Sequence, residues 1–320
     1  RRAARLPARG PGAGPEFGVG SARGGIGPGP PRDFSAPASR DGAVASRLRA
    51  RSPEPGNRRS SGGQDGSVTP MTRAMSFNTA PDRYAAFRPF YPPALFELVE
   101  ELSQIPLAGA RIADVGAGTG ISTTQLVQRG ADVVAVEPGE GMAAWFRKSL
   151  PDVPLVRGDA NALPLADGSR DLVTYAQAWH WAEPHRAVPE AMRVLRPGGS
   201  LVVWWNLTAH DVPWIGAQAE RITHHTGVSS PPLNQVGDHG ALRRAGLDGL
   251  RLSHRHTRWS RTVPLDLHLG NLASHSGFLV MPEQATRDFL DTERTRLRAL
   301  FPDEQVEEVY VVDLLVARRD

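Results

Sequence analysis

The sequence predicts an α/β fold built on a doubly wound, mostly parallel sheet. Short apolar runs alternate with amphipathic segments of helical spacing between residues 93 and 205. The first of these strands, residues 111–115, opens into a turn that contains three glycines. Strands that are apolar along their whole length are buried on both faces, so helices should cover both sides of the sheet.

The elements can be assigned in order along the chain. A short helix around Asp82–Phe87 should end at Arg88-Pro89, because the residue before a proline is pushed out of the helical region. The helix after the glycine turn should be capped by Ser122 or Thr123 and stop at Gly130. The expected strands are 111–115, 131–136, 153–156, 171–176, 201–205, 251–263 and 309–316. The other expected helices are 93–102, 142–150, 187–195, 213–225, 266–278 and 283–300.

Composition excludes several classes of protein. The 320 residues contain no cysteine, which excludes disulfides, thiolate metal sites and thiol nucleophiles. No apolar run approaches the roughly 20 residues of a membrane span, so we expect a cytoplasmic protein that does not insert into a membrane. Net charge is +3 overall, but residues 1–70 hold 12 arginines and 5 acids, whereas the remainder holds 25 basic and 29 acidic residues. The mildly acidic remainder argues against a nucleic-acid surface on the domain.

Residues 1–70 differ from the rest of the chain. They hold 14 glycines and 10 prolines, and their large apolar residues have no period. Such a segment cannot bury enough surface to offset its ordering entropy, so we expect it to be disordered. A basic arm for nucleic acid and a transit peptide are alternatives, although an amphipathic pattern is missing. Because Met71 is the first methionine, we expect translation to start at Met71 or Met75 and residues 1–70 not to be native coding sequence.

The turn after the first strand predicts a ligand site. Gly116, Gly118 and Gly120 leave bare backbone on which a ligand can lie beside peptide N–H groups. A dinucleotide motif would place its third glycine one residue later, where this chain has Ile121. Asp114, two residues before the first glycine, is a poor neighbour for a pyrophosphate and a good one for an ammonium group. This D-x-G-x-G-x-G spacing resembles motif I of the class I S-adenosylmethionine (SAM)-dependent methyltransferases.

Polar residues follow the neighbouring strands at the same edge of the predicted sheet. Glu137 ends the second strand, Asp159 the third, and Gln177 the fourth. In open α/β sheets, ligands bind outside the carboxyl ends of the strands. Glu137 could accept both ribose hydroxyls of a nucleoside, and Asp159 could accept from an adenine amino group while the N–H of Ala160 donates to the ring. Turn formation is the competing interpretation for Asp159.

The resemblance extends over about residues 76–206. Besides motif I and Glu137, the runs Gly158-Asp159-Ala160-Asn161-Ala162-Leu163-Pro164 and Leu195-Arg196-Pro197-Gly198-Gly199 are similar in order and spacing to motifs of the small-molecule, type 11-like branch. It implies a Rossmann-like methyltransferase fold, with sheet order 3-2-1-4-5-7-6, an antiparallel last strand and helical insertions. It also implies a lid and helix over 76–110, a SAM-binding core over 111–206, substrate-pocket insertions with strand six over 207–303, and a last strand over 306–318, together a domain of residues 71–320.

The resemblance also implies which residues hold the cofactor. The segment from Tyr84 to Pro92 is similar to a lid in which Tyr84, Arg88 and Tyr91 close over the ligand, since aromatic faces attract a sulfonium cation. Met142 would pack on the adenine face, although a methionine at helical spacing is equally a core residue. The cofactor-binding residues implied are Tyr84, Arg88, Tyr91, Asp114, Gly116, Ala117, Gly118, Gly120, Glu137, Pro138, Met142, Asp159, Ala160 and Gln177.

Methyl transfer from a sulfonium needs alignment and exclusion of water, and it needs no nucleophilic residue. A general base helps only when the acceptor is a hydroxyl or a protonated amine. His180, between Trp179 and Trp181 at the end of the fourth strand, is the candidate base, because its pKa lies near neutrality. It could equally orient the substrate. Trp179, Trp181 and Trp205 are the candidate substrate contacts, and His185, Tyr175 and His210 are weaker candidate bases.

Other functions stay open at this point. They are a non-catalytic SAM-binding module, an NAD-dependent oxidoreductase and an RNA methyltransferase. No Asn/Asp-Pro-Pro-aromatic run follows the fourth strand, no cysteine could attack a pyrimidine, and no Asp-Asn pair follows the fifth strand to bind magnesium. The histidines, including His224, His225, His254 and His256, lack a clear metal spacing, and we expect no metal. The expected partner is a small-molecule methyl acceptor, with no nucleic acid and no membrane; the sequence does not specify the oligomeric state.

Overall fold

A computed structural model of the chain describes residues 76–79, 81–228 and 251–320. The prediction that residues 1–70 are disordered and are not native coding sequence lies outside these residues. Residues 229–250 also lie outside them.

The described residues form a seven-stranded sheet with the order β3-β2-β1-β4-β5-β7-β6, which confirms the predicted order. The pairs β1–β2, β1–β4, β2–β3 and β4–β5 are parallel. Strand β7 is antiparallel to both β5 and β6, as predicted for the last strand. The strands are β1 (Arg111–Val115), β2 (Asp132–Val136), β3 (Leu155–Val156), β4 (Arg170–Ala176), β5 (Leu195–Thr208), β6 (Leu252–Pro264) and β7 (Gln305–Arg318).

The elements lie close to the predicted segments, with three differences. The helix after the glycine turn begins at Ile121 with Gly120 as its N-cap, so the expected cap by Ser122 or Thr123 is wrong. The single helix expected over 266–278 is two helices, because Ser274 and His275 end the first and precede the second. The helices are α1 (Pro81–Phe87), α2 (Pro93–Ser103), α3 (Ile121–Val127), α4 (Glu140–Ser149), α5 (Pro184–Val194), α6 (Pro213–Thr226), α7 (Leu265–Ala273), α8 (Ser276–Leu279) and α9 (Glu283–Leu300).

The third difference is the length of β5. The sequence indicated a helix stop at Arg196-Pro197-Gly198-Gly199 and a strand over 201–205. Strand β5 instead begins at Leu195, which pairs with Arg170, and continues to Thr208, which pairs with Tyr310. Its long antiparallel pairing with β7 therefore carries the sheet beyond the ends of the parallel strands.

Apolar side chains cover both faces of the sheet. One face packs Val173, Val203 and Leu315 against Ala187 and Ala191 of α5. The other packs Ile112, Leu172 and Leu314 against Leu95 and Phe96 of α2. Burial of both faces follows from the uniformly apolar strands, and it fixes the carboxyl ends of β1, β2 and β4 at one edge.

Helices α6 to α9 form a separate layer with its own apolar cluster. Leu269, Leu272, Phe278, Phe289 and Leu297 are buried within it. The layer lies against β6 and β7, because Val306 of β7 belongs to the same cluster. None of the helices in the described part of the chain combines the length and apolar character that crossing a membrane requires.

Candidate cofactor and acceptor site

The glycine turn lies at the carboxyl end of β1, between β2 and β4. Gly116, Gly118 and Gly120 all have positive φ, at +69°, +58° and +91°. A Cβ on Gly116 would lie 2.5 Å from the Cβ of Ala178, so this position requires glycine. A Cβ on Gly118 would meet no atom closer than the Gly116 carbonyl oxygen at 4.0 Å. The space above Gly118 is therefore open, as a backbone cradle for a ligand requires.

The Glu137 carboxylate lies beside this turn and is held by backbone donors. Its Oε2 accepts the N–H of Gly118 at 2.8 Å, and its Oε1 accepts the N–H of Gly139 at 2.7 Å. The side chain is buried and has no arginine or lysine ion pair within the described residues. Burial raises the pKa of Glu137, and the bonds from Gly118 and Gly139 oppose that shift. Each carboxylate oxygen keeps a lone pair for a further donor.

Asp114 lies beneath the turn and is completely buried. Its Oδ2 accepts the hydroxyl of Thr123 at 2.7 Å, and its Oδ1 accepts the hydroxyl of Thr174 at 2.9 Å. Burial raises the pKa of Asp114 to about 6, against the lowering effect of these hydrogen bonds. The carboxylate thus joins β1, α3 and β4 below the cradle, and it holds a charge that no cation neutralises within the described residues.

A short segment before α1, residues 76–79, lies over the loop that carries Glu137. The Asn78 Oδ1 accepts the N–H groups of Gly141 and Met142, at 3.1 and 3.4 Å, in the first turn of α4. Helix α4 has no cap from its own chain neighbours, so Asn78 supplies one from a distance. A Cβ on Gly141 would lie 2.3 Å from the Asn78 carbonyl oxygen, which shows how closely the segment approaches. Nothing local in the sequence indicated Asn78.

Aromatic contacts join the same segment to the end of β4. The ring of Phe77 packs edge-on against Tyr84, with centroids 5.5 Å apart, and against Trp181 at 6.2 Å. The Arg88 guanidinium lies 5.0 Å from the Tyr84 ring centroid. The segment predicted to be a lid therefore spans the edge of the sheet from α4 to the fourth strand.

Tyr91 and Arg88 lie deeper than a surface lid. Tyr91 is buried against Trp204, with ring centroids 5.7 Å apart, and its backbone N–H and carbonyl bind the side-chain amide of Gln125. Burial raises the pKa of Tyr91, and the nearby Tyr84 and Asp114 raise it further. Arg88 donates from Nη2 to the Ser274 carbonyl at 3.2 Å. It thus connects the cofactor side with α7.

The residues expected around adenine differ in how far they are buried. Asp159 is exposed, and its Oδ1 accepts the Asn161 N–H at 3.0 Å, as in a turn-forming aspartate. Met142 is buried in the first turn of α4. Ala160 is half-buried and packs at the edge of the core, whereas Pro138 is exposed.

The end of β4 brings together His180 and two of the predicted substrate contacts, Trp181 and Trp205. Gln177 has φ +56°, and its amide donates to the Asn206 carbonyl at 3.0 Å. Trp205 donates from Nε1 to Nδ1 of the exposed His180 at 3.3 Å, and the ring of His180 lies 4.4 Å from that of Trp181. Trp179 lies instead in the core, with its ring centroid 4.7 Å from that of Tyr175.

The three weaker candidate bases differ in burial and in hydrogen bonding. The hydroxyl of Tyr175 is buried and has no hydrogen-bond partner among the residues that the structure describes, and burial raises its pKa. His210 forms a hydrogen bond through Nε2 with the Thr208 hydroxyl at 2.8 Å, and burial lowers its pKa. His185 is exposed, next to Glu183.

A buried polar network on the helical layer was not predicted. Glu308 of β7 accepts bonds from Arg261 at 2.6 Å, from His268 at 2.7 Å and from the Tyr310 hydroxyl at 2.8 Å. Burial alone would raise the pKa of Glu308, but the hydrogen bond and charge of His268 and the charge of Arg261 hold it at about 2. The Nε2 of His268 continues the network to Gln218 of α6 at 3.1 Å.

Several buried polar atoms in this region have no partner within the described part of the chain. Thr119 Oγ1 lies in the glycine turn, Arg88 Nε and Asn271 Oδ1 lie on the helical side, and Asn206 Nδ2 lies near the end of β5. Buried polar groups are normally hydrogen-bonded, so each of these atoms is available to a ligand or to an ordered water molecule. The set extends from the glycine turn to α7.

Comparisons with known proteins agree with this geometry. A family model described as a methyltransferase domain matches residues 113–203. An uncharacterized methyltransferase of Mycobacterium tuberculosis is 46% identical over 149 residues, which cover 47% of this chain and 59% of that protein. A demethylmenaquinone methyltransferase of Renibacterium salmoninarum is 41% identical over 107 residues, which cover 33% of this chain and 44% of the relative. The match thus spans about half the length of these relatives.

The fold has a counterpart among solved structures. A putative type II methyltransferase from Anaeromyxobacter dehalogenans superposes with a TM-score of 0.54 at 22% identity, covering 73% of this chain and 98% of that structure. The sheet order, the family model and the relatives agree. Residues 113–203 therefore match a methyltransferase domain, and the sheet has the order expected for that fold.

Proposed function

We propose that this chain binds SAM at the edge formed by β1, β2 and β4 and transfers its methyl group to a small-molecule acceptor. The observation that carries the proposal is the Glu137 carboxylate, which bridges the N–H of Gly118 in the glycine turn and the N–H of Gly139. It is a buried acid with spare lone pairs beside an open backbone cradle. A nucleoside with two adjacent ribose hydroxyls suits that arrangement.

The other residues of the edge fit the same ligand. The unpaired hydroxyl of Thr119 suits the carboxylate of the methionine part, and the buried negative charge of Asp114 favours an ammonium group nearby. Gln177, Met142, Asp159 and Ala160 would line the remainder. SAM, when bound, would supply the methyl group from its sulfonium and leave as the neutral thioether S-adenosylhomocysteine, so no nucleophilic residue would be needed. The chain's own task is to orient the acceptor and to exclude water.

The hydrogen bond between Trp205 and His180 bears on the role of this histidine. An indole N–H can only donate, so Nδ1 of His180 must accept and the neutral ring carries its proton on Nε2. While this bond lasts, Nδ1 cannot take a proton from an acceptor. We infer that His180 orients the substrate rather than acting as its general base.

The acceptor pocket would lie where the end of β5 and strands β6 and β7 meet α7, with β6 and α7 supplied by the insertions expected over 207–303. Arg88 Nε, Asn206 Nδ2 and Asn271 Oδ1 offer two donors and one acceptor. The stacked rings of Trp259 and Tyr310, with centroids 5.1 Å apart, lie between Asn206 and Asn271. Such a set suits a small polar molecule with an apolar part. The Renibacterium relative acts, by its name, on demethylmenaquinone, which makes quinones one class to test.

Calorimetric titration of the purified chain with SAM, S-adenosylhomocysteine and NAD tests the cofactor assignment. We expect both SAM and its demethylated product to bind, and NAD not to bind. Binding of NAD alone would contradict the proposal. Turnover of methyl-labelled SAM over a panel of quinones, phenols, amines and carboxylic acids then identifies the acceptor. Binding without turnover on any of them would favour a non-catalytic SAM-binding module.

The role of His180 is tested by a pH–rate profile with the acceptor so found. If His180 orients the substrate, His180→Gln should raise KM by about threefold to tenfold, the loss of one hydrogen bond of about 1 kcal/mol, and should leave the pH profile unchanged. A general base would behave differently. His180→Gln would then remove the acidic limb of the profile and lower kcat by about a hundredfold or more.

A further inference from the structure

Two histidines and an aspartate meet on the antiparallel part of the sheet. His254 and His256 are two residues apart on β6, so their side chains lie on the same face of the strand. Asp313 of β7 is the register partner of His256 and shares that face. The sequence did not indicate this cluster, because Asp313 is 57 positions from His256 and only strand pairing brings it there.

The ligand atoms of the three side chains converge. The Nε2 atoms of both imidazoles lie against the same oxygen, Oδ1 of Asp313, and that of His256 is 2.8 Å away. The two rings are perpendicular, with centroids 4.4 Å apart. All three ligand atoms lie within 4.8 Å of one another. In a tetrahedral zinc site with bonds of 2.0–2.1 Å, ligand atoms are about 3.3 Å apart, so small side-chain rotations suffice.

The charge of Asp313 supports a cation at this place. Its side chain is only 5% exposed. No arginine or lysine within residues 76–79, 81–228 and 251–320 forms an ion pair with it, in contrast to Glu308 and Glu293. A buried carboxylate is costly without a compensating charge. Neutral imidazoles supply hydrogen bonds, whereas a divalent cation held by the same three groups supplies charge as well.

We propose that His254, His256 and Asp313 form a binding site for a divalent transition metal of the Zn²⁺ class. Two imidazoles and one carboxylate are ligands that Zn²⁺, Co²⁺ and Ni²⁺ accept, and water can occupy the fourth position because His256 is 37% exposed. The metal would join β6, at the edge of the sheet, to β7. Asp313 also pairs in register with Trp205, the residue that holds His180.

Titration of the metal-free full chain with CoCl₂ at neutral pH, followed by visible absorption, tests the site. We expect one equivalent of Co²⁺ to give the intense d–d bands of a tetrahedral site, and ZnCl₂ to displace them. Loss of even an outer-shell partner weakens metal sites by about 10–100-fold, so His256→Ala, which removes a ligand at a half-exposed position, should weaken binding by about 100-fold. The pair His254→Ala, His256→Ala should abolish the bands.

The exposed His185 provides the matched control, because His185→Ala removes an imidazole outside the cluster. It should leave the bands and the affinity unchanged. Thermal melting of wild-type protein should rise with added Zn²⁺, and that of the double variant should not. Equal Co²⁺ affinity of wild type and His256→Ala would overturn the proposal. So would the absence of tetrahedral bands in the folded wild-type chain, which would leave a hydrogen-bonded triad without metal.

Discussion

Two buried acids at the carboxyl ends of β1 and β2, here called the cofactor half, are held in the opposite way to two buried acids on β7 and α9, here called the helical half. Asp114 and Glu137 are held by hydroxyl and peptide N–H groups, and burial raises the pKa of each. Glu308 and Glu293 are equally buried, but arginine or histidine side chains pair with them. The bonds from Arg221 and Gln218 overcome the effect of burial and lower the pKa of Glu293, as those from His268 and Arg261 do for Glu308.

This difference separates the roles of the two halves. A buried acid paired with cations completes its own network and holds helices α6 to α9 against β7. A buried acid that lacks a cation retains an unbalanced charge, and such groups gather at functional sites. The proposed cofactor edge therefore keeps uncompensated negative charge that a ligand can bind. In the helical half the acids form ion pairs that stabilise the packing of the helices.

The largest expected effect is on stability of the helical half. Glu308→Ala leaves Arg261 and His268 without their shared partner, and breaking a buried pair in this way costs about 3–5 kcal/mol. Glu307→Ala, on the exposed side of the same strand, should cost less than about 1 kcal/mol. Chemical denaturation of both variants measures the difference. Equal stability of the two would remove the contrast between the halves.

Substitution of Asp114 is expected to change stability in the opposite direction, because it should stabilise the folded chain at high pH. Because its pKa in the folded chain is raised to about 6, the folded state binds a proton more tightly than the unfolded state. Stability therefore falls as the pH rises from about 4 to 6, and above that the ionised Asp114 costs up to about 3 kcal/mol. Asp114→Asn should remove this cost, so it should raise the melting temperature near pH 8 and give little gain near pH 4.

Asp132→Asn, at the exposed start of β2, is the control for this substitution and should show no such pH-dependent gain. The same Asp114→Asn variant should bind SAM more weakly, because the buried negative charge is gone. A variant that is destabilised at every pH would show that Asp114 acts mainly as a hydrogen-bonded brace and would place it with the acids of the other half.

The smallest expected effect concerns the lid. Asn78→Ala removes the distant cap from α4, which should cost about 1 kcal/mol and weaken SAM binding about fivefold. Asn78→Asp keeps the acceptor and should bind like wild type. Calorimetric titration of both variants checks this. An unchanged affinity for Asn78→Ala would show that the segment does not contribute to the cofactor edge.

The site residues of the cofactor half could be predicted from the sequence because each of them lies close to the end of a strand. The glycine turn, the acid before it and Glu137 lie within a few residues of strand ends, and parallel strands bring those ends to one edge. The apolar strands predicted a mostly parallel sheet covered on both faces, whereas the sheet order was predicted from the motif resemblance. Even in this half, the position of Trp179 could not be predicted. The turn after β4 directs Trp179 into the core and Trp181 outward, and the symmetric sequence Trp-His-Trp does not indicate which of the two is buried.

The helical half could not be read in the same way. Glu308 meets His268 across 40 positions and Arg261 across 47, so no spacing along the chain indicates the network. Asn78 meets α4 across more than 60 positions. The boundary that failed at Leu195 is set by the pairing of this residue with Arg170 of β4 rather than by local preference.

The central claim is that Glu137 is the acid of the cofactor edge. Two charge-assisted hydrogen bonds to ribose contribute about 1.5–3 kcal/mol each, so Glu137→Ala should weaken SAM binding by at least about 100-fold. Glu140→Ala, an exposed acid three residues along the same loop and helix, should bind SAM as wild type does. Calorimetric titration of the three folded proteins with SAM gives the result directly. Equal affinity in Glu137→Ala and wild type would contradict the account.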